Sequence, residues 1–148
     1  MQTHIPNNCG NSPRSLPSIE IAISLAANKY DKLKPLLAED FTFRIAGDDK
    51  KIAKSEVQAY MEGAGQSKIS IDRLDILTSI SHGKYAAVSS RAYTSDGGIQ
   101  DSHDLYEFTG AGGSAKLRKV TSYIANSRVV VTPCLPKKEK LNTKIFSV

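Results

Sequence analysis

The stretch "DSHDLYEFTGAGGSAKLRKVTSYIA", residues 101–125, predicts two strands joined by a glycine-rich turn. Polar and apolar residues alternate on both sides of "GAGGS", as in antiparallel strands that bury one face. His103 and Asp104 are neighbours, so their side chains point to opposite faces of the first strand. The even-numbered face ends in two aromatic residues, whereas the odd-numbered face carries two acids and an imidazole. We therefore expect Asp104 to point into the protein and His103 to point out of it.

Upstream of this stretch, apolar residues recur at helical spacing in three segments. The first segment starts at Ser18, a favourable N-cap, and the third follows Ser55, another favourable cap. The second contains Pro35, which belongs in a first turn or produces a kink. A short strand, "FTFRI" (41–45), lies between the second and third helices.

After Lys68 the apolar period changes to two, which predicts four long consecutive strands. Their connections, including "DGG" at 96–98, are too short for crossovers, so the strands are antiparallel. The apolar residues change face near Asp72–Arg73, which indicates a bulge. The fold class predicted is α+β, with three N-terminal helices packed on one face of a bent antiparallel sheet.

The positive net charge of the chain is concentrated at its end. Residues 18–127 hold 14 basic and 14 acidic side chains, whereas 128–148 hold five basic side chains against one acid. We therefore divide the chain into an irregular arm (1–17), one domain (18–126) and a basic tail (127–148). The tail has no interleaved aromatics, which favours a solvated end over a nucleic-acid arm.

Composition predicts a cytoplasmic protein that uses no metal or cofactor. No run of about 18 apolar residues occurs, and the start of the chain lacks the apolar region of a signal peptide. Cys9 and Cys134 have no metal-site spacing, so we expect free thiols; a bridge would require that the ends meet in an oxidising compartment. The three histidines are scattered, and His82 precedes a glycine in a predicted turn.

The order of elements, with "LAEDFTFRI" (37–45) and "DLYEFTGAGGSAKLRKVTSYIA" (104–125), resembles the nuclear-transport-factor-2-like superfamily. That superfamily includes SnoaL-like polyketide cyclases, ketosteroid isomerase, scytalone dehydratase and limonene epoxide hydrolase. The resemblance covers residues 18–126, and the start "IPNNCGNSP" is similar to that of some bacterial members. It implies a cone-shaped sheet closed by helices, a small-molecule pocket at one end and a homodimer formed through the sheet.

The resemblance also assigns individual positions. Asp104 matches the aspartic acid with which ketosteroid isomerase donates a hydrogen bond to the substrate oxyanion. The position of that enzyme's catalytic base is Ile45 here, and the position of its oxyanion tyrosine is Ile21. The isomerase mechanism therefore does not carry over.

Two other members are matched only in part. The acid that cyclases and epoxide hydrolases carry on the last strand corresponds to Ser122, beside Tyr123. Scytalone dehydratase uses a pair of histidines, which His82 and His103 do not reproduce.

The residue opposite Asp104 depends on how the turn at 96–98 is built. One two-residue turn places Ser89 there and another places Arg91 there. If Arg91 reaches Asp104, the acid stays ionised in a structural or substrate-orienting pair. If Arg91 points away, burial raises the pKa of Asp104, which could then donate a proton.

These observations lead to three hypotheses. The first is a protein that binds a small molecule in a mostly apolar pocket, with ligand contacts from Tyr85, Arg91, Tyr93, Tyr106 and Tyr123. The second is a metal-independent acid/base enzyme (an isomerase, dehydratase, cyclase or hydrolase) that uses Asp104 as its catalytic residue. The third is a dimeric interaction module without a ligand, whose interface is the outer sheet face with His103 and Glu107.

Overall fold

The computed structural model describes residues 1–7, 14–65 and 69–128 of the 148-residue chain. Cys9, Cys134 and the basic tail beyond Arg128 lie outside these residues, so the proposals about free thiols and a solvated tail stay predictions. The described residues form helices and one seven-stranded sheet.

The helices lie where the apolar spacing predicted them, with different starting points. They are α1 (Ser15–Ala26), α2 (Tyr30–Leu33), which continues as a 3-10 helix (Lys34–Leu36), and α3 (Lys54–Gly65). Ser18 is not the N-cap of α1, because the helix begins three residues earlier and buries Ser18 in its first turn. None of the described helices has the length and apolarity needed to span a bilayer.

The four long strands predicted after Lys68 are confirmed. The strands are β1 (Gln2–His4), β2 (Leu37–Ile45), β3 (Ile52–Ala53), β4 (Ile71–His82), β5 (Tyr85–Thr94), β6 (Gly98–Phe108) and β7 (Leu117–Arg128). They are ordered β1-β4-β5-β6-β7-β2-β3, and β4 to β7 pair antiparallel in sequence order. The α+β class with helices against one face of the sheet follows from this arrangement.

The outer parts of the sheet differ from the sequence prediction. Strand β1 lies in the arm that was predicted to be irregular, and it pairs parallel with β4. Strand β2 is longer than predicted and pairs parallel with β7. The sheet is therefore mixed, because strands that are distant in sequence have connections long enough for parallel pairing.

Two bulges bend β4. The register shifts between Ile71 and Arg73, as the sequence predicted, and again between Ile76 and Thr78. Each bulge increases the local twist and bends the strand. The helices pack on the inner face of this bent sheet, where Tyr106 is fully buried in the core.

Arg14 holds the glycine-rich turn between β6 and β7 against the start of α1. Its guanidinium is buried, donates hydrogen bonds to the carbonyl oxygens of Gly110 and Gly112, and lies 4.3 Å from the centre of the Phe108 ring. Such charge-assisted bonds are stronger than neutral ones. The turn "GAGGS" is therefore docked on the domain and closes the end of the sheet that is far from the β5–β6 hairpin.

Candidate functional site

An open cavity of about 360 Å³ lies between the inner face of the sheet and the helices. Its helix-side wall is apolar, with Leu25 from α1 and both Val57 and Met61 from α3. At the mouth, Ile69 and Ile124 remain 50% and 39% exposed, so apolar side chains face solvent there. Apolar clefts of this size are typical of small-molecule sites.

The sheet-side wall carries a polar stripe along β6. Gln100, Ser102 and Asp104 all line the cavity because they are two residues apart, which places each about 7 Å from the next. Gln100 Nε2 donates to Asn126 Oδ1 at 2.9 Å, and the hydroxyls of Ser102 and Ser90 are 2.8 Å apart. Gln100 and Ser102 are half-buried whereas Asp104 is buried, so the stripe runs from the mouth to the base.

Asp104 is held at the base of the cavity by two hydroxyl groups. Ser122 lies directly opposite it on β7, and its Oγ donates to Asp104 Oδ1 at 2.6 Å. Tyr106, two residues along β6, donates its hydroxyl to Asp104 Oδ2 at 3.3 Å. The residue is only 7% exposed, so the prediction that Asp104 points inward is confirmed.

The environment of Asp104 disfavours its charge. Burial raises the pKa of the Asp104 carboxyl, and the hydrogen bonds from Ser122 and Tyr106 offset part of that increase. Burial and the neighbouring acid also raise the pKa of Tyr106 well above its usual value, so this phenol stays protonated and acts as a donor. None of the described residues lining the cavity is a lysine, arginine or histidine.

Arg91 does not reach Asp104, contrary to one of the two sequence alternatives. It lies opposite Asp101 on the outer face, with Nε 2.6 Å from Oδ1 and Nη2 2.9 Å from Oδ2. The residue opposite Asp104 is Val88. The loop between β5 and β6 has three residues and Gly97 in a left-handed conformation (φ 80°), and this length sets a register that neither two-residue turn provides.

In that register, the tyrosines of β5 do not line the cavity. Tyr85 and Tyr93 share the outer face with Arg91; Tyr85 is 46% exposed, and Tyr93 packs under Arg73. Tyr123 is 50% exposed on the same face. These three tyrosines and Arg91, which the sequence predicted as ligand contacts, are not among the lining residues of this cavity, and Tyr106 hydrogen-bonds Asp104 without lining it.

The histidines lie outside the cavity. His103 is exposed on the outer face, where its Nδ1 is 2.7 Å from Ser89 Oγ, and His82 is exposed at the end of β4. Within the described ranges, no three His, Cys, Asp or Glu residues are grouped so that they could hold a metal ion.

The sequence did not identify several polar residues of the cavity. Ser102 and Gln100 continue the even-numbered face of β6, so the parity that located Asp104 could also have located them. Ser90 could not be found in this way, because its position depends on the β5–β6 register. The resemblance matched Ser122 to the site, and the structure shows it as the hydrogen-bond donor to Asp104.

Replacing Asp104 with asparagine is expected to stabilise the protein at neutral pH by on the order of 1 kcal/mol, because it removes a buried charge and keeps the shape. The folded-state pKa of Asp104 is raised, so the folded protein binds the proton more tightly than the unfolded chain does. This group therefore contributes most stability below the unfolded pKa of roughly 3.9, and less as pH rises through the folded pKa. Across this pH range, urea denaturation should show that the gain in free energy of unfolding caused by Asp104→Asn increases with pH.

The matched control is Asp101→Asn on the same strand. The hydrogen bond from Arg91 lowers the pKa of Asp101, so its stabilising contribution exists above the unfolded pKa and is lost as pH falls through the folded pKa. The two variants should therefore show opposite pH trends. A pH-independent stability difference for Asp104→Asn would contradict the account of a desolvated acid.

Several solved structures are similar to this chain over most of its length. An NTF2-like protein of unknown function from Cytophaga hutchinsonii aligns with a TM-score of 0.56 and 13% identity, over 74% of this chain and 97% of that one. An NTF2-like protein of unknown function from Mesorhizobium loti aligns with a TM-score of 0.55 and 19% identity, over 84% and 99%.

A candidate ketosteroid isomerase from Kribbella flavida is also similar, with a TM-score of 0.56 and 16% identity, over 88% of this chain and 87% of that one. No family model and no curated protein matches the chain. Likeness at such low identity concerns the fold and does not transfer a function.

Proposed function

Because the chain has the nuclear-transport-factor-2-like fold, we propose that it binds a small, mostly apolar organic molecule of the kind taken by SnoaL-like proteins. The molecule occupies the cavity between the sheet and the helices, with its apolar body against Leu25, Val57 and Met61. Its polar group meets Asp104 at the base.

The observation that carries this proposal is a buried acid at the base of an open, mostly apolar cavity. A structural acid in a core is normally enclosed by its partners, whereas Asp104 lines free space in addition to accepting two hydrogen bonds. Convergent polar groups in an apolar pocket are what a ligand site requires. The half-buried Ser102 and Gln100 supply further polar contacts nearer the mouth.

Binding is better supported than acid/base catalysis. An enzyme of that type needs a second group that accepts or donates the proton returned during the reaction. The other titratable residue among the described lining residues is Tyr60, which lies near the mouth and is 39% exposed, and burial raises its pKa. Asp104 alone therefore supports an anchor for a ligand, and the described lining residues offer no base for the isomerase, dehydratase, cyclase or hydrolase alternative.

Native mass spectrometry of the protein purified from its own host tests the proposal. We expect a second population whose extra mass is that of one small organic molecule, and its release on denaturation. Protein that carries no such molecule, and that also fails to bind apolar compounds added in vitro, would contradict the proposed function.

We also propose that the chain forms a homodimer through the outer face of the sheet. The exposed apolar side chains of this face include Ile80 (62%), Tyr85 (46%), Leu105 (42%) and Tyr123 (50%). Exposed apolar patches of this kind mark interaction surfaces. The ion pairs Arg91–Asp101 and Lys84–Glu107 flank the patch on either side, as polar rims flank interface cores.

A cytoplasmic location stays a prediction from the sequence.

Leu105→Glu is expected to convert the dimer to a monomer, because each copy would bury a carboxylate at the centre of the patch. We expect the dissociation constant to rise by on the order of 100-fold, measured by light scattering after size exclusion. The matched control is Leu36→Glu, at a similarly exposed leucine in the 3-10 helix, which should leave the dimer intact. A wild-type protein that is monomeric at high concentration would refute this proposal.

A further inference from the structure

Among the described residues, the charges that face the cavity are unbalanced. Asp104 is the acidic group in its lining, and no basic side chain accompanies it among the described lining residues. None of the ion pairs in the described ranges includes Asp104. Arg73 on β4 and Arg91 on β5 are paired with acids on the outer face.

The hydrogen bonds to Asp104 are arranged for a carboxylate. Each of its two oxygens accepts a bond from a hydroxyl group, Ser122 on one side and Tyr106 on the other. A contact of 2.6 Å between Ser122 Oγ and Oδ1 is in the range of a hydroxyl bound to an ionised oxygen. These dipoles orient the group toward the cavity but supply no countercharge.

We propose that the molecule bound in this cavity is a cationic amine with an apolar body, whose ammonium group pairs with Asp104. This inference rests on the proposed function and specifies its ligand class. Folding has already removed most of the water around the carboxylate, so the main further desolvation cost of forming the ion pair is that of the ammonium. An ion pair formed there is weakly screened by solvent and salt.

Other ligand charges fit less well. A carboxylate or phosphate ligand would place like charges close together at the base of an apolar cavity. A neutral alcohol could donate a hydrogen bond to Asp104 but would leave its charge uncompensated. We therefore expect affinity to decrease in the order amine, alcohol, carboxylate.

The pH dependence of binding follows from the same geometry. Asp104 contacts Ser122 on β7 and Tyr106 on its own strand, and it lies opposite Val88 on β5. Tyr60 on α3 lines the cavity, α1 contributes only uncharged lining residues, and His103 faces the other side of the sheet. An alkyl ammonium stays protonated to about pH 10, so amine binding should weaken on acidification as Asp104 takes up its proton.

Matched compounds test the inference by calorimetric titration of the full chain. Each set has one apolar body, phenyl, naphthyl or cyclohexyl, bearing an aminomethyl, a hydroxymethyl or a carboxylate group. For the body that fits best, we expect the amine to bind about tenfold more tightly than the alcohol and the carboxylate to bind least. Asp104→Asn should abolish the preference for the amine, and Asp104→Glu should retain part of it.

The outcomes separate this inference from the proposed function. Alcohols that bind as tightly as the amines, or amine binding that does not weaken at acidic pH in the wild type, would overturn the ligand class and leave the cavity as a binding site. Failure of all the compounds to bind would count against both proposals. The wild-type pH series requires no variant, so the test holds even if Asp104→Glu does not fold.

Discussion

Val88→Asp is expected to destabilise the protein by about 4 kcal/mol at neutral pH, because it places an unpaired carboxylate in the core. Val88 is fully buried and lies directly opposite Asp104 on the neighbouring strand. Cβ atoms in such cross-strand pairs are about 5 Å apart, so the two acids would repel each other in a poorly solvated environment. Urea denaturation measures the loss.

The loss of stability caused by Val88→Asp should depend on pH. Repulsion and burial both raise the folded-state pKa of the introduced carboxyl, so the folded variant binds protons more tightly than its unfolded chain. The penalty therefore appears as pH rises above the unfolded value of roughly 3.9, and it shrinks on acidification below that value.

Ser89→Asp is the control for this experiment. Ser89 is the next residue of β5, but it points to the outer face and lies opposite His103. We expect a change within about 0.5 kcal/mol, as for most surface substitutions. If Ser89→Asp were the damaging substitution and Val88→Asp were tolerated, the register with Ser89 opposite Asp104 would be correct after all.

Ser102→Phe is expected to reduce ligand affinity by at least about 100-fold while the fold is retained. Ser102 is half-buried on the sheet-side wall, between Gln100 at the mouth and Asp104 at the base. A phenyl ring at this position would enter the open space that the ligand needs and block the route to Asp104. The ring meets free volume, so the overpacking cost of a filled core is largely avoided.

The measurement combines native mass spectrometry with titration of the best-binding naphthyl, phenyl or cyclohexyl compound. We expect the copurified molecule to be missing from Ser102→Phe, and the titration to show the loss of affinity. Ala125→Phe is the matched control, because Ala125 is exposed on the outer face of β7 opposite Asp101. Unchanged affinity in a well-folded Ser102→Phe protein would mean that the ligand binds elsewhere.

Local patterns in the sequence were sufficient for the presence of three helices, for the four long strands and for the orientation of β6. The alternation of side chains along a strand is a property of its backbone, so the aromatics at Tyr106 and Phe108 fixed Asp104 on the buried face. The bulge near Asp72–Arg73 was equally visible, because one extra residue in a strand shifts the phase of the apolar positions that follow it.

The neighbours of Asp104 could not be obtained in the same way. A difference of one residue in the β5–β6 loop moves every side chain of β5 to the other face, and this placed Val88 opposite Asp104 instead of Ser89 or Arg91. The length of this loop depends on which residues of "DGG" (96–98) form the turn, and the sequence is compatible with more than one choice.

The sequence by itself therefore determined the α+β architecture, the four antiparallel strands and the inward carboxyl of Asp104. Only the tertiary structure decided that Arg91 pairs with Asp101, that the tyrosines of β5 face outward, and that the cavity combines a serine-lined sheet with an apolar wall from α1 and α3. The physical reason is one of range. The periodicity of apolar residues reflects the backbone geometry within one segment. Strand register and cavity shape arise from packing between segments that are distant in the chain.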